Sequence, residues 1–170
     1  MTPADPPRAG ARPPPRFFWE DFPVGQVREF GHYAVTRDAV LAFAREFDPQ
    51  PFHVDDAAAE ASLFGRLAAS GWHTCAIAMR MMCDAYLLES ASLGSPGLDK
   101  LNWTKPVHPG DVLHMRLEVL ESRPLASRPE VGLIRSRWDV MNQRDEIVLT
   151  MEGFGMFRRR APATAAPSDA

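Results

Sequence analysis

The chain has 170 residues, 45% of them apolar and 24% charged, a composition that fits one globular domain with a sizeable core. A formal net charge of -3 offers no electrostatic footprint for nucleic acid, and the basic run Arg158-Arg159-Arg160 is too short to supply one. No apolar run is long enough to span a bilayer, and the first residues have no apolar signal-peptide core, so no membrane contact is expected, the expected location is the cytoplasm and the expected partner is a small molecule.

Residues 1–16 are mostly Pro, Ala and Arg, too few apolar side chains to offset the entropy of ordering, and are expected to form a disordered tail. The same composition marks 161–170, which leaves 17–160 as a single folded domain. Within it, 17–25 is an aromatic lead-in ending in a turn, and a strand is expected over 26–35. Thr36 can then cap a helix, because Val40, Leu41, Ala44 and Phe47 recur at helical spacing from Arg37 onward. That helix stops at Asp48-Pro49.

The segment Asp48-Pro49-Gln50-Pro51-Phe52-His53 holds a carboxylate and an imidazole in a proline-stiffened loop. Pro49 and Pro51 fix their own φ and push Asp48 and Gln50 toward extended backbone, so the loop cannot continue the helix. A loop whose shape is set in advance can aim both groups at one molecule, as proton-transfer chemistry requires. The plainer alternative is that Asp48 ends the helix and His53 is a packed surface histidine. Asp55 and Asp56 then carry negative charge into a second short helix over 57–63, which Gly65 closes.

The third helix, 71–89, leaves almost no polar face, as Ala76, Ile77, Met79, Met81, Met82 and Leu87 show, and, being apolar nearly all round, is expected to be buried. Arg80 and Asp84, spaced for an i,i+4 pair, mark where it meets solvent or a partner subunit. Met79, Met81, Met82 and Met115 read as core filler, the alternative being a pliable acyl-binding wall. Cys75 and Cys83 fall roughly 12 Å apart along this helix, too far for a disulfide, so both are expected to be reduced.

Strands are expected over 98–105, 111–120, 131–140 and 147–157, separated by turn clusters such as Pro106-Val107-His108-Pro109-Gly110 and Asn142-Gln143-Arg144-Asp145. Strands joined by short turns form an antiparallel sheet, and one long sheet beside one apolar helix packs by wrapping around it, an α+β architecture. A second copy pairing edge to edge would cover the free edge of such a sheet. His32, His73, His108 and His114 lack metal-ligand spacing, so no metal is expected, and neither a phosphate-binding glycine loop nor a nucleophile elbow is present.

The run from Thr36 through Phe43-Ala44 to Asp48-x-x-Pro51-x-His53-x-Asp55, then Phe64-Gly65-Arg66-Leu67-Ala68-Ala69-Ser70-Gly71, resembles the MaoC-like dehydratase family, which includes the R-specific enoyl-CoA hydratases. Pro106-Val107-x-Pro109-Gly110-Asp111 and Asn142-Gln143 extend the resemblance over nearly the whole folded unit. It implies a hot-dog fold, a homodimer or higher assembly, and hydration or dehydration of acyl thioesters, with coenzyme A as part of the substrate and no separate cofactor. It also implies that Asp48 and His53 are the catalytic pair, Asp48 activating water and His53 orienting it and delivering a proton to Cα. Backbone amides at Gly71 would face the enolate oxygen. Gln50 stands where the family usually has asparagine, and Ser70-Gly71-Trp72 where it often has His-Gly-Met. Gln50 keeps an amide to orient Asp48 or the water. Ser70 either bonds the catalytic groups or caps the helix, and Trp72 either shortens the acyl pocket or serves the core. The expected function is therefore an acyl-CoA hydratase or dehydratase, with a hot-dog thioesterase and a non-catalytic acyl-CoA binding module as the alternatives.

Overall fold

The computed structural model describes residues 13–160, so most of the expected first tail and all of the second lie outside the described residues. At Arg16 the tail expectation fails. Its amide donates to Glu89 O at 2.7 Å and its guanidinium pairs with the Glu89 carboxylate at 3.4 Å, so the fold already holds this residue.

Helix α1 (Arg37–Phe47) begins as expected, with the Thr36 hydroxyl accepting from the Ala39 amide at 3.2 Å. After it the chain departs from a simple loop. Pro51 opens a one-turn helix, α2 (Pro51–Val54), at the position where its missing N–H would have had no partner anyway. His53 therefore projects from a helical turn. Helix α3 (Asp56–Glu60) is capped by Asp55, which accepts from Ala58 N, and is shorter than expected. Ser62 ends it by donating to Ala59 O and accepting from Phe64 N.

Helix α4 (Gly71–Ala85) starts where expected but stops at Tyr86, and a separate 3-10 turn covers Leu87–Glu89. Tyr86 leaves the helix so that its ring can bury against Phe22 and Phe30, with Trp138 Nε1 donating to its hydroxyl at 3.4 Å. The helix is buried on the face toward the sheet and exposed on the other. Ile77, Ala78, Met81 and Met82 are buried, whereas Trp72 is 60% and Met79 50% exposed, and Arg80 and Asp84 form an exposed ion pair. A single sheet embraces only one side of a helix, so Met79 is not core filler here.

The sheet contains β1 (Val27–Ala34), β2 (Ser92–Gly94), β3 (Leu98–Trp103), β4 (Val112–Leu125), β5 (Arg128–Met141) and β6 (Ile147–Arg158). All pairings are antiparallel, in the order β1-β4-β5-β6, with β2 and β3 following one another along the outer side of β6. Every second residue of β4 (Leu113, Met115, Leu117, Val119) points inward and is fully buried, each contributing roughly 1.5–3 kcal/mol of hydrophobic burial. These side chains meet Ile77 and Met81 of α4, so the sheet curls around the helix in the hot-dog arrangement. Where β1 passes α4 the register slips beside Gly31, which has φ of 89°; a Cβ there would lie 2.5 Å from Met81 Sδ. The basic run at the end of the chain serves the fold: Arg160 pairs with Asp21 at 2.6 Å, and Arg159 lies over the Trp19 ring. Among the described residues no helix is long and apolar enough to cross a membrane.

Candidate active site

Asp48, His53 and Ser70 reach one point from three different elements. Asp48 is the C-cap of α1, its amide bonded to Ala44 O, with φ of -150° and ψ of 66°, a conformation the following proline favours over α-helix. His53 is 5% exposed and comes from α2. Ser70, at 0% exposure, is the N-cap of α4.

The Ser70 hydroxyl donates to Asp48 Oδ2 at 2.6 Å while accepting from the Trp72 amide at 3.2 Å, so the two alternatives read for it occur together. Gln50 Nε2 donates to Asp48 Oδ1 at 2.8 Å. His53 Nε2 stands 3.6 Å from Asp48 Oδ2. Its other nitrogen, Nδ1, is 2.8 Å from Ala68 O. A carbonyl oxygen can only accept, so Nδ1 carries a proton, and Nε2 is the nitrogen that faces the carboxylate. That separation is one a single water can span when it gives one hydrogen to Oδ2 and the other to an unprotonated Nε2.

Burial alone would push the Asp48 carboxyl up, but the hydrogen bonds from Ser70 and Gln50 and the nearby His53 together bring it below the usual aspartate range. Asp48 is thus anionic at neutral pH with each oxygen already held by a donor. It is a firmly placed negative charge.

The segment ahead of α4 supports this geometry. His53 takes Ala68 O, His108 Nδ1 takes Leu67 O at 2.8 Å, and Val107 O accepts from Ala69 N at 2.8 Å. His108, for which no role was expected, is therefore a supporting residue of the site. Its signal was the turn it sits in, where Asp111 accepts from the His108 amide and from Gln143 Nε2. The Pro-Gly-Asp and Asn-Gln motifs thus brace the site from outside it.

Asp48, Gln50, His53, Gly71, Trp72 and Trp103 line one cleft of about 450 Å³. Trp103 was not expected there. Its indole N–H donates to Gly71 O at 2.9 Å, and a Cβ on Gly71 would lie 2.6 Å from the ring, so the missing side chain of Gly71 makes room for Trp103 as well as for any ligand. The Gly71 amide, in the first turn of α4, has no carbonyl within the helix to bond. Trp72 meets Trp103 edge to face, with centroids 5.4 Å apart, and is not a core residue. Phe52 and Phe64 flank His53 on the remaining side. Among the described residues no group of three His, Cys, Asp or Glu side chains is arranged to hold a metal ion.

Comparison with known proteins agrees with this architecture. The MaoC like domain profile matches residues 21–135. The chain is 31% identical over 126 residues to YdeM of Bacillus subtilis, an uncharacterised protein, covering 74% of this chain and 88% of that one. Among solved structures, the MaoC-like dehydratase from Rhodospirillum rubrum is 42% identical with a TM-score of 0.79, over 86% of this chain and 99% of that one. The unliganded R-hydratase PhaJ1 from Pseudomonas aeruginosa shares the fold at 24% identity and a TM-score of 0.66, over 90% and 95% of the two chains. By the extent of the profile match and these likenesses, the chain belongs to the MaoC-like domain family, whose fold is the hot-dog.

Proposed function

We propose that this protein adds water to, or removes it from, a 2-enoyl or 3-hydroxyacyl thioester of coenzyme A, with Asp48 and His53 handling the water. The observation that carries this reading is the facing of His53 Nε2 and the Asp48 carboxylate across 3.6 Å, with Nδ1 turned away to Ala68 O. A water bridging them points its lone pair into the cleft, toward the position of Cβ. On attack its oxygen bonds to Cβ, its proton passes to His53 Nε2, and the double-bond electrons move through Cα onto the thioester oxygen. Collapse of the enolate then takes the proton from Nε2 to Cα. An imidazole is a better base than a carboxylate held low, so in this reading His53 carries the proton while Asp48 orients the water and stabilises the imidazolium. That division differs from the one the resemblance implied, in which Asp48 activates the water. The Gly71 amide supplies a donor for the enolate oxygen, since Trp72 N–H is engaged by Ser70.

The proposal includes a second copy of the chain. Strand β3 has no partner on its outer edge among the described residues, and Leu93, Leu98 and Met79 nearby are each at least 40% exposed. Light scattering on the purified protein tests for the dimer.

The activity test follows the enoyl-thioester absorbance with a panel of trans-2-enoyl-CoA substrates, run beside Asp48→Asn and His53→Ala. Turnover that falls by at least about 10²-fold in both variants is expected. Turnover retained in His53→Ala, or none in the wild type alongside saturable acyl-CoA binding, would overturn the reading.

A further inference from the structure

We propose that Trp72 sets the acyl-chain length by closing the Asp48 and His53 cleft off from a second, apolar cavity that continues along α4, which makes the substrate a short-chain 2-enoyl thioester. The assignment rests on the hydratase reading. The second cavity measures about 400 Å³, and among the described residues no Asp, Glu, Lys, Arg or His side chain lines it. Trp72, Cys75, Met79, Met82 and Tyr86 border it at spacings that place them on one stripe running from the head of α4 past its end. Such a wall suits an alkyl chain and excludes a carboxylate or a phosphate.

Trp72 belongs to the lining of both spaces. Its indole leans edge to face on Trp103, at an interplanar angle of 81°, and Trp103 is itself fixed by its hydrogen bond to Gly71 O. The partition is therefore anchored on a strand and a helix. With Cβ of a substrate at the Asp48 and His53 pair, the alkyl end meets this indole before it can enter the apolar cavity.

The test uses the full chain as wild type, Trp72→Ala and Trp72→Phe, with two readouts. One is kcat/KM on straight-chain enoyl-CoA substrates from crotonyl to dodecenoyl, and the other is calorimetric binding of the matching saturated acyl-CoA series. In the wild type kcat/KM is expected to be highest for crotonyl and to fall with length. Trp72→Ala should move the optimum to longer chains, gaining up to about fourfold for each methylene that enters the cavity. Trp72→Phe should fall between the two, and it carries the test alone should the alanine variant fail to fold. A wild type that prefers long chains, or a chain-length profile unchanged in the folded variants, overturns the assignment while leaving the hydratase reading intact. Absence of turnover in every protein, with saturated-chain affinity rising with length in the variants only, sinks the hydratase reading and keeps the partition.

Discussion

Replacing Ser70 with alanine separates two roles of one buried hydroxyl. The capping bond to Trp72 N–H is long at 3.2 Å, and its loss costs about 0.5–1 kcal/mol. The bond to the ionised Asp48 is short at 2.6 Å and only partly exposed, so its loss costs roughly 1.5–3 kcal/mol. Together they amount to about 2–4 kcal/mol at neutral pH, or roughly 6–12 °C in melting midpoint for a domain of this size. The two parts differ in their response to acid. Although burial raises the Asp48 carboxyl, its donors bring it to a net value below the ordinary one. A carboxyl lowered in the folded state contributes stability above its unfolded pKa and loses it as pH falls through the folded value. The difference between wild type and Ser70→Ala should therefore be full above about pH 5 and shrink toward the capping part alone in acid. Urea unfolding of both proteins across pH measures this difference directly. A difference that stays constant with pH would show that Ser70 only caps α4. Equal stability at neutral pH would refute both roles.

Three further substitutions probe neighbouring groups. Gly71→Ala pushes a methyl to within 2.6 Å of the Trp103 ring and should cost about 1–3 kcal/mol in thermal unfolding; no loss would mean that the indole moves freely. His73 is buried with its Nδ1 unbonded, stacked on Phe43, and burial lowers its pKa from 6.5. Because the unfolded chain then binds the proton more tightly, wild-type stability should decline as pH falls below about 6.5, and His73→Leu should abolish that part of the slope in denaturant titrations. An unchanged slope in the variant would place the acid sensitivity elsewhere. Gln50→Leu removes one of the donors to Asp48 from an exposed position and should lower kcat/KM roughly two- to tenfold, and a loss beyond about a hundredfold would make Gln50 a catalytic group.

Much of the site was legible in the sequence because its parts obey local rules. Thr36 caps, the apolar spacing after Arg37 repeats, and the prolines limit Asp48 and Gln50, so the place where the helix ends and the pair begins is set by neighbours in the chain. The same rules misjudged Pro51, which starts a turn of helix, and they carried α4 past Tyr86, where a buried ring pulls the chain away. Trp103 and His108 were not read as parts of the site. Each acts on a carbonyl far along the chain, Gly71 O and Leu67 O, and no spacing rule connects such residues.

From the sequence alone came the antiparallel sheet around a helix and the loop that carries Asp48 and His53, since periodicity, turn chemistry and proline geometry are properties of adjacent residues, and the run of spaced motifs carried the family resemblance. Only the tertiary structure decided which nitrogen of His53 faces Asp48, that Ser70 both caps and donates, and that Trp72 borders two cavities. Those features depend on where Ala68, Asp48 and Trp103 end up in space. Long-range packing sets such positions, because each buried donor or ring takes the partner that the closed sheet brings to it.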